Sequence, residues 1–550
     1  MRKYRSSRRH IEQEQKHPEA STAPSIRPVK EKVRHSRQKR KHNPLRAALA
    51  VTAGRAFGAI SRRLHLGGGT SVPGVVAQRM YPGVVSYLAA QLAYGSLMIT
   101  GTNGKTTTSN FVSSILRDAG LRVWRNREGS NLMRGIASSL VIRARPTGRL
   151  RRSGQAISVF EVDEATIPQA LNEISPRIIV FNNLFRDQLD RYGEVDTVLT
   201  NWQKALEHLS PETILVLNAD DPTIAQLGNS FKGQIVYFGI NDTALNLQSE
   251  QTGEQNHQVI DTRTCSQCGH EYEYAVRIYS HLGHYRCPNC GQERAQPQIS
   301  AVEVQTEGFD RYRIRVQAHG EEHTLIVPLP GLYNIYNALA AIAVARTLGI
   351  DWEPIENGIG QSKPVFGRGE RIQADGKTIR LLLAKNPTGF NEVLRTLFAD
   401  QEKRHVLFVL NDKIADGQDV SWIWDVDFER VVEHTSSLVL SGTRARDLGL
   451  RLKYAGVPEA EMAIIPSTPL RLQREERGNS ARRKKKTATP ITIETATHLY
   501  GLKQALDLAL EQTPTGETLF IVPTYTGLLE LHHELEERGL TSRYWEGRDG

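Results

Sequence analysis

A glycine-rich segment, Gly101-Thr102-Asn103-Gly104-Lys105-Thr106-Thr107, lies between a short apolar run and a helix-like run. Glycines let backbone N–H groups approach phosphate oxygens, and the start of a helix adds a favourable dipole. Lys105 can neutralise phosphate charge, and the Thr106 hydroxyl can bind Mg²⁺. The strict P-loop spacing would put its first glycine at Ile99, so this is a variant of that loop. We predict that the segment binds the phosphates of a nucleoside triphosphate, because its strand–turn–helix context argues against an ordinary glycine turn.

Carboxylates follow the next predicted strand, where AISVF runs into Glu161-Val162-Asp163-Glu164. The carboxyl ends of parallel strands share one edge of a sheet, so these acids should lie near the phosphate loop. Oxygen ligands suit Mg²⁺, and Glu161 together with Thr106 is the predicted metal pair. Polar residues also end the two following strands, in NNLFRD (182–187) and NADDP (218–222). Turn chemistry explains the second of these groups equally well.

The four cysteines of the chain stand at Cys265, Cys268, Cys287 and Cys290, in the pattern C-x2-C-x18-C-x2-C. Two such knuckles present four thiolates to one ion, and the spacing is typical of a zinc ribbon. All four positions of a tetrahedral Zn²⁺ are thereby filled, which predicts a structural site. A redox pair or free thiols are the alternatives.

The elements around these residues alternate between strands and helices. Five segments are predicted to be strands separated by helices or turns: SLMIT, AISVFEVDE, RIIVFNNL, TILVLNADD and QIVYFGI. This pattern predicts βαβ units and a parallel sheet. Two small-residue-rich runs before Ser96 read as helices, and NIYNALAAIAVARTLG reads as another. A second α/β block begins near Gln361, with strands in IRLLL, HVLFVL, SLVLSG and ETLFIV.

Charge is distributed unevenly along the 550 residues, whose net charge is +10. Residues 1–42 hold 14 basic and four acidic residues, and the other 508 sum to zero. We interpret 1–42 as a disordered basic tail and 472–490 as an exposed charged loop. No apolar stretch is long enough to span a membrane, and no secretory signal is present, so the expected location is the cytoplasm. The four cysteines agree with a reducing compartment.

Taken together, these motifs resemble the Mur ligase family, and within it the MurT type. The resemblance is carried by GTNGKTTTSNF, EVDEATIP, FNNLFRDQLDRYGE, LNADDP, the four-cysteine insert, YNIYNALAA, LAKNPTGFN and NDKIADGQDVSWIWD. The resemblance runs from about Leu45 to the C-terminus and leaves out the basic tail and the 472–490 loop. It implies an ATP-dependent amidation of the α-carboxyl of D-glutamate in the lipid II stem peptide, through an acyl phosphate. The ammonia would come from a partner glutaminase similar to GatD, so the resemblance implies a heterodimer. The heterodimer would meet lipid II at the membrane surface, and no nucleic-acid partner is expected.

The resemblance also implies roles for single residues. Asn337 is similar to the residue that reads adenine, although it could simply pack within its own helix. Asp419, with Asp416 as second choice, is similar to an acid that completes a Cys-His-Asp arrangement in the partner. Asp419 could instead cap a helix near Val420. Gln188 stands where many Mur ligases have histidine. This departure from the family pattern leaves undecided whether the chain has a second metal site.

The predicted architecture is therefore a tail (1–42), a helical lead-in (43–96), a central ATP-binding domain (97–361) and a C-terminal α/β domain (362–550). The ribbon is an insert at 262–296. Two other functions remain open at this point. One is a related ligase that adds an amino acid, or glutamate to folate. The other is a nucleotide-regulated protein whose tail and ribbon bind nucleic acid, with the salt-sensitive affinity such binding shows.

Overall fold

The computed structural model describes residues 42–63, 71–126, 130–186, 195–246, 264–364, 367–400, 402–467 and 493–541. The predicted basic tail up to residue 41, the 472–490 loop and the Asp187-Gln188 pair lie outside these ranges. Among the described helices, none is long and apolar enough to cross a bilayer.

The two runs before Ser96 that were predicted to be helical form three helices: α1 (Pro44–Arg63), α2 (Val72–Met80) and α3 (Val84–Ala89). Helices α1 and α2 approach closely because small residues line their contact. A Cβ at Gly54 would lie 2.4 Å from the Pro73 carbonyl oxygen, and one at Gly58 would lie 2.5 Å from the Pro73 ring. The pair packs on helix α5 (Met133–Arg143) of the next domain.

The central domain is built on a nine-stranded sheet in the order β11-β10-β9-β6-β5-β4-β1-β3-β2. Strands β1 to β6 and β9 pair in parallel, whereas β10 and β11 extend the sheet as antiparallel strands. All five predicted strands are confirmed. The bounds are β1 (Ser96–Thr100), β2 (Arg122–Arg125), β3 (Ala156–Glu161), β4 (Ile178–Phe181), β5 (Ile214–Asn218), β6 (Ile235–Ile240), β9 (Ile299–Glu307), β10 (Arg311–Ala318) and β11 (Glu321–Val327).

Helices cover both faces of this sheet, because the central strands are apolar and buried on both sides. Helix α9 (Tyr333–Thr347) is buried along most of its length and packs against α4 (Lys105–Asp118), and α10 (Trp352–Gly360) packs against α4 as well. Besides α5, the helices are α4 (Lys105–Asp118), α6 (Ile167–Glu173), α7 (Val195–Glu207), α8 (Pro222–Ala225), α9 (Tyr333–Thr347) and α10 (Trp352–Gly360).

The cysteine-bearing insert folds around a two-stranded antiparallel hairpin, β7 (Glu273–Tyr279) and β8 (Leu282–Arg286). One knuckle lies on each side of the hairpin in sequence. The apolar tip of the hairpin, with Ile278, Tyr279 and Leu282, joins the hydrophobic core of the central domain. The insert is therefore packed into the domain that carries it.

The C-terminal domain has a six-stranded sheet in the order β12-β13-β17-β14-β15-β16, parallel except for β12. The four predicted strands are confirmed, and β12 and β16 are additional edge strands. The elements are β12 (Arg368–Ala374), β13 (Lys377–Leu382), α11 (Pro387–Leu397), β14 (Arg404–Val409), β15 (Thr435–Gly442), α12 (Ala445–Tyr454), β16 (Met462–Pro466), α13 (Ile493–Gln512), β17 (Thr518–Pro523) and α14 (Tyr525–Glu537).

Candidate functional site

The glycine-rich loop joins strand β1 to helix α4, as the sequence predicts. Gly101 and Gly104 have φ angles of 133° and 84°, a region that favours glycine. A Cβ at Gly104 would lie 2.0 Å from Asn337 Oδ1, so no larger residue fits there. Gly104 precedes α4 and no side chain caps the helix. The N–H groups of the first turn, at Lys105, Thr106 and Thr107, therefore suit an anion such as a phosphate.

The loop is held in shape by the segment that follows strand β4. The Asn103 N–H donates to Asn183 Oδ1 at 2.8 Å, and Asn183 Nδ2 donates back to the Asn103 carbonyl at 3.2 Å. The Thr102 hydroxyl accepts from the Phe185 N–H at 3.0 Å and donates to its carbonyl at 3.1 Å. Asn183 thus supports the loop, a role that the sequence motif alone did not reveal.

Lys105 lies folded over the loop. Its Nζ donates to the Gly101 carbonyl at 2.5 Å and to Glu164 Oε1 at 2.9 Å. Both side chains of this ion pair are mostly buried. Glu164 belongs to the acidic segment noted in the sequence, but only the fold shows that it is the partner of Lys105. The pair fixes the ammonium group at the mouth of the loop.

Thr106 and Glu161 meet at the same edge of the sheet. The Thr106 hydroxyl donates to Glu161 Oε2 at 2.8 Å, and Arg125 Nη2 donates to Glu161 Oε1 at 3.0 Å. Asn126 fixes the Glu161 backbone through two hydrogen bonds of 2.9 Å. Hydroxyl and carboxylate oxygens are ligands that Mg²⁺ accepts, so the chemistry of the pair fits the ion. Arg125 was not predicted, because it ends strand β2, which the sequence analysis did not identify.

Asn337 lies on helix α9 behind the loop and is buried. Its Oδ1 accepts from the Thr108 hydroxyl at 3.2 Å, and its Nδ2 donates to Asn334 Oδ1 at 3.0 Å. The side chain is therefore fixed by its own helix and by α4, directly beside Gly104. The fold brings Asn337 to the phosphate loop from 233 residues away in sequence.

The NADDP segment has a structural role. Asp221 accepts from the N–H groups of Thr223 and Ile224 at the start of α8 and from Leu184 N–H at 2.9 Å. Asp220 accepts from Tyr336 Oη and Arg294 Nε, each at 2.6 Å. Both aspartates are fully buried. They join the central sheet, helix α9 and the ribbon, so turn and packing chemistry explains this motif.

The four cysteine sulfurs converge, as predicted, and all lie within 4.8 Å of one another. Cys265 and Cys290 have their sulfurs 3.5 Å apart, and Cys268 and Cys287 have theirs 3.4 Å apart. Four sulfurs about 2.3 Å from one Zn²⁺ would be spaced by about 3.8 Å, so the cluster can hold such an ion. A hydrogen bond with Asn289 contributes most to lowering the pKa of Cys268, to about 6. In the same cluster, desolvation and hydrogen bonds with the other three cysteines raise the pKa of Cys290 to about 12, so a metal ion must displace that proton when it binds.

The C-terminal domain reaches the site through the start of helix α11. Asn386 Nδ2 donates to Asn103 Oδ1 of the phosphate loop at 3.3 Å, while Asn386 Oδ1 caps α11 by accepting from Gly389 N–H. Further along α11, Arg395 Nη1 donates to the Ile278 carbonyl of the ribbon hairpin at 2.8 Å. The second domain therefore contacts both the loop and the ribbon, and Asn386 is a site residue for which the sequence motif LAKNPTGFN gave no role.

The acidic segment after strand β14 contains Asp416 and Asp419, the two candidates for an acid that serves the partner, and they lie in different environments. Asp416 is buried, and its carboxylate accepts from the Thr526 N–H at 2.8 Å and from the Thr526 hydroxyl. Burial raises the pKa of Asp416 to about 6. Asp419 is exposed, and its Oδ1 accepts from the Ser421 N–H at 2.8 Å. That hydrogen bond lowers the pKa of Asp419. Asp419 thus supports the local turn and is accessible, whereas Asp416 ties the segment to α14.

Comparison with known proteins identifies related chains over most of the length. The Mur ligase middle domain matches residues 99–290, and the MurT ligase C-terminal domain matches residues 383–492. The chain is 34% identical over 418 residues to the Staphylococcus aureus (strain N315) "Lipid II isoglutaminyl synthase (glutamine-hydrolyzing) subunit MurT", covering 76% of this chain and 88% of that one. It is 33% identical over 415 residues to the protein of the same name from Streptococcus pneumoniae (strain R6), covering 75% and 88%.

Among solved structures, a pseudomurein peptide ligase type C from Methanothermus fervidus is similar, with a TM-score of 0.55 and 22% identity. The alignment covers 80% of this chain and 78% of that one. At this identity the likeness concerns the fold alone. It agrees with a central parallel sheet followed by a second α/β domain.

Proposed function

The chain belongs to the MurT family of Mur ligases, and on this premise we propose that it catalyses the ATP-dependent amidation of lipid II. The acceptor would be the α-carboxyl of D-glutamate in the stem peptide, which becomes D-isoglutamine. The observation that carries the proposal is the uncapped start of α4, with Lys105 and the Thr106–Glu161 pair beside it. The contact between Asn386 and Asn103 puts the C-terminal domain at the same loop.

The reaction proceeds in two steps. The substrate carboxylate attacks the γ-phosphorus of ATP and ADP leaves, which gives an acyl phosphate. Ammonia then attacks the acyl carbon, loses a proton, and inorganic phosphate leaves. N–H groups at the start of α4 and the Lys105 ammonium group stabilise the charge on the transferring phosphoryl group. Asn337 is the proposed contact for adenine.

Thr106 and Glu161 are the proposed ligands of Mg²⁺. The bound ion would supply a positive charge to the phosphate oxygens. Arg125 donates to Glu161 and thereby orients its carboxylate. The buried carboxylate is also held by the bonds of Asn126 to its backbone. These contacts hold the Thr106 hydroxyl and the Glu161 carboxylate together at one edge of the sheet, which supports the proposed ligand pair.

The ammonia is proposed to come from a glutaminase partner similar to GatD. The relatives are named as a glutamine-hydrolysing subunit, which implies an assembly. The chain has four cysteines in all, and these are the cysteines of the ribbon, so none is left as a glutaminase nucleophile. Asp419 is exposed on the loop after β14. Ile414, Trp424 and Tyr454 are large, exposed apolar side chains of the same domain and supply a surface for the partner.

We propose that the enzyme acts at the inner face of the membrane, because its substrate is attached to lipid. The 14 basic residues among the first 42 would favour an anionic leaflet. The chain would remain a peripheral protein, held by charge and surface contacts.

We also propose that the cysteine cluster holds one structural Zn²⁺. Cys287 is fully buried, and replacing it with serine should remove the ion, because a neutral hydroxyl is a poor zinc ligand. Zinc content by plasma mass spectrometry is expected to fall from one ion per chain to none. The unfolding temperature should fall by roughly 5–10 °C, since metal binding contributes folding free energy.

The matched control is Ser266→Ala, an exposed position between the first two cysteines. It should leave zinc content and unfolding temperature unchanged. Zinc retained at full stoichiometry by the Cys287→Ser protein would refute the four-cysteine site.

The amidation is tested with purified chain, ATP, Mg²⁺ and lipid II. Ammonium chloride, or glutamine with a GatD-like glutaminase, supplies nitrogen. The expected products are ADP and a lipid II that is lighter by about one mass unit, as a carboxyl becomes an amide. No amidated product with either nitrogen source, from folded protein and confirmed substrate, would overturn the proposal.

The same assay separates the alternative ligases. An amino acid or glutamate ligase would form a heavier product when amino acids are supplied, and would not respond to ammonium. We consider a nucleic-acid-binding protein the more distant alternative, since the sequence outside the tail has no net positive charge.

A further inference from the structure

Helix α1 has an arrangement of side chains opposite to that of an ordinary surface helix. The face that packs on the protein consists mostly of small residues, among them Ala47, Ala50 and Gly54, with Val51 as a larger buried residue. The large apolar side chains point outward. The exposed fractions of these side chains are Leu45 78%, Leu49 65%, Phe57 55% and Ile60 53%. An amphipathic helix that served packing alone would bury its large residues.

These four side chains lie on one face. At about 100° per residue, Leu45, Leu49, Phe57 and Ile60 fall within an arc of about 120°. The packed residues fall on the opposite arc, so the outer face is a continuous apolar surface about 20–25 Å long. We call Leu45, Leu49, Phe57 and Ile60 the outer face of α1. An apolar surface of this kind marks a binding site for an apolar partner.

The charge around the outer face is of one sign. The helix contains no acidic residue, and Arg46 and Arg63 are exposed within the same arc. From Lys32 to Arg117 the chain has 13 basic residues and no aspartate or glutamate. The basic segment ending at His42 leads directly into the helix. Large apolar side chains among arginines are typical of a helix that lies in the headgroup region of an anionic bilayer.

We propose that the outer face of α1 binds the surface of an anionic lipid bilayer. Leu45, Leu49, Phe57 and Ile60 enter the boundary between headgroups and acyl chains, and the arginines contact lipid phosphates. This inference deepens the proposed function, because it names the surface that brings the enzyme to a lipid-linked substrate. The biological purpose of the surface rests on that proposed function. A nucleic acid would match the charge but would leave the apolar side chains in water.

The position of α1 relative to the phosphate loop supports this purpose. The second half of α1 packs on the start of α2, where Gly58 faces Pro73. The start of α2 packs on α5, with the Gly74 N–H donating to Ser138 Oγ at 2.8 Å. The segment before helix α5 contains Asn131, whose carbonyl accepts from the Asp163 N–H. Asp163 follows strand β3 in the acidic segment at the edge of the site. Three packed helices thus connect the outer face to the reaction site.

The test is flotation of the full-length protein with vesicles of phosphatidylglycerol and phosphatidylcholine, without lipid II or ATP. The expected result is binding that requires the anionic lipid. Phe57→Glu combined with Ile60→Glu should weaken it by about tenfold or more, because two apolar groups leave the bilayer and two negative charges enter. Leu450→Glu, at a residue 50% exposed on α12, is the matched control and should bind like the wild type.

A second variant avoids any question of folding. Phe57→Trp keeps an apolar ring at an exposed position, and its emission should shift to shorter wavelength and be quenched by brominated lipids when anionic vesicles are added. Leu450→Trp should do neither. Equal vesicle binding by the doubly acidic variant, or no response from the tryptophan at position 57, would overturn the proposal.

Other occupants of the outer face give different results. The proposal would also be overturned if Phe57→Glu left vesicle binding unchanged and instead dissociated a dimer in solution. The same holds if Phe57→Glu left vesicle binding unchanged and weakened binding to duplex DNA. None of these membrane-binding assays measures amidation. Their results are therefore independent of whether the proposed reaction is correct.

Discussion

Replacing Lys105 with alanine is expected to lower the ammonium-driven rate of amidation by roughly a thousandfold. The ammonium group is held at the phosphate loop by Gly101 and Glu164, mostly out of water, where a charge acts strongly on a transferring phosphoryl group. The measurement is the initial rate of ADP release at saturating lipid II. Lys453→Ala, an exposed lysine of helix α12, is the matched control and should keep the wild-type rate.

Removal of Lys105 also leaves the buried Glu164 carboxylate without its ion-pair partner, which could destabilise the loop. The double variant Lys105→Ala, Glu164→Gln removes that negative charge. If the role of Lys105 is to bind phosphate, the double variant should regain thermal stability but not activity. Recovery of activity together with stability would instead show that Lys105 serves only to neutralise Glu164.

Replacing Asp419 with asparagine is expected to abolish glutamine-driven amidation, by about 10⁴-fold, while sparing the ammonium-driven reaction. In the proposed assembly the Asp419 carboxylate orients and stabilises a histidine of the glutaminase, and an amide cannot stabilise the cation that forms there. The exposure of Asp419 and its lowered pKa suit that role. Both rates should be measured with the same partner preparation, and glutamate release should fall with the glutamine-driven rate.

Two further variants decide between the candidate acids. Asp447→Asn, at an exposed acid of helix α12, should change neither rate. Asp416→Asn should lower the unfolding temperature, because Asp416 ties its segment to Thr526. If Asp416→Asn abolishes the glutamine-driven reaction and Asp419→Asn does not, Asp416 is the acid that serves the partner. Equal loss of both reactions in the Asp419→Asn protein would point to a structural role.

The fold was predictable where short-range patterns are strong. Apolar runs such as SLMIT and RIIVF are buried on both sides of a parallel sheet, so their sequences are uniformly apolar and easy to identify. Strand β2, with arginines at both ends, and strand β12, which mixes charged residues with a few apolar ones, were not predicted. Both lie at sheet edges, where one side of the strand faces water and the pattern resembles a loop.

The sequence by itself determined the chemistry that depends on neighbours within a few residues. The phosphate loop needs Gly104, Lys105 and Thr106 in consecutive positions, and each zinc knuckle needs two cysteines separated by two residues. Backbone geometry over such short segments is set locally, so the residue types almost specify the ligand. Helix α1 was equally readable as a helix, but its pattern did not show which face would be covered.

Only the tertiary structure decided which distant side chains complete these motifs. It pairs Lys105 with Glu164 and Arg125 with Glu161, and it brings Asn386 of the second domain to Asn103. It assigns Asp220 and Asp221 to packing rather than chemistry, and it buries Asp416 while exposing Asp419. Such contacts depend on how whole layers pack, because burial and partner choice are set by elements far apart in the chain. The outward-facing leucines of α1 are a result of the same packing, since small residues let α1 and α2 approach and leave the large ones outside.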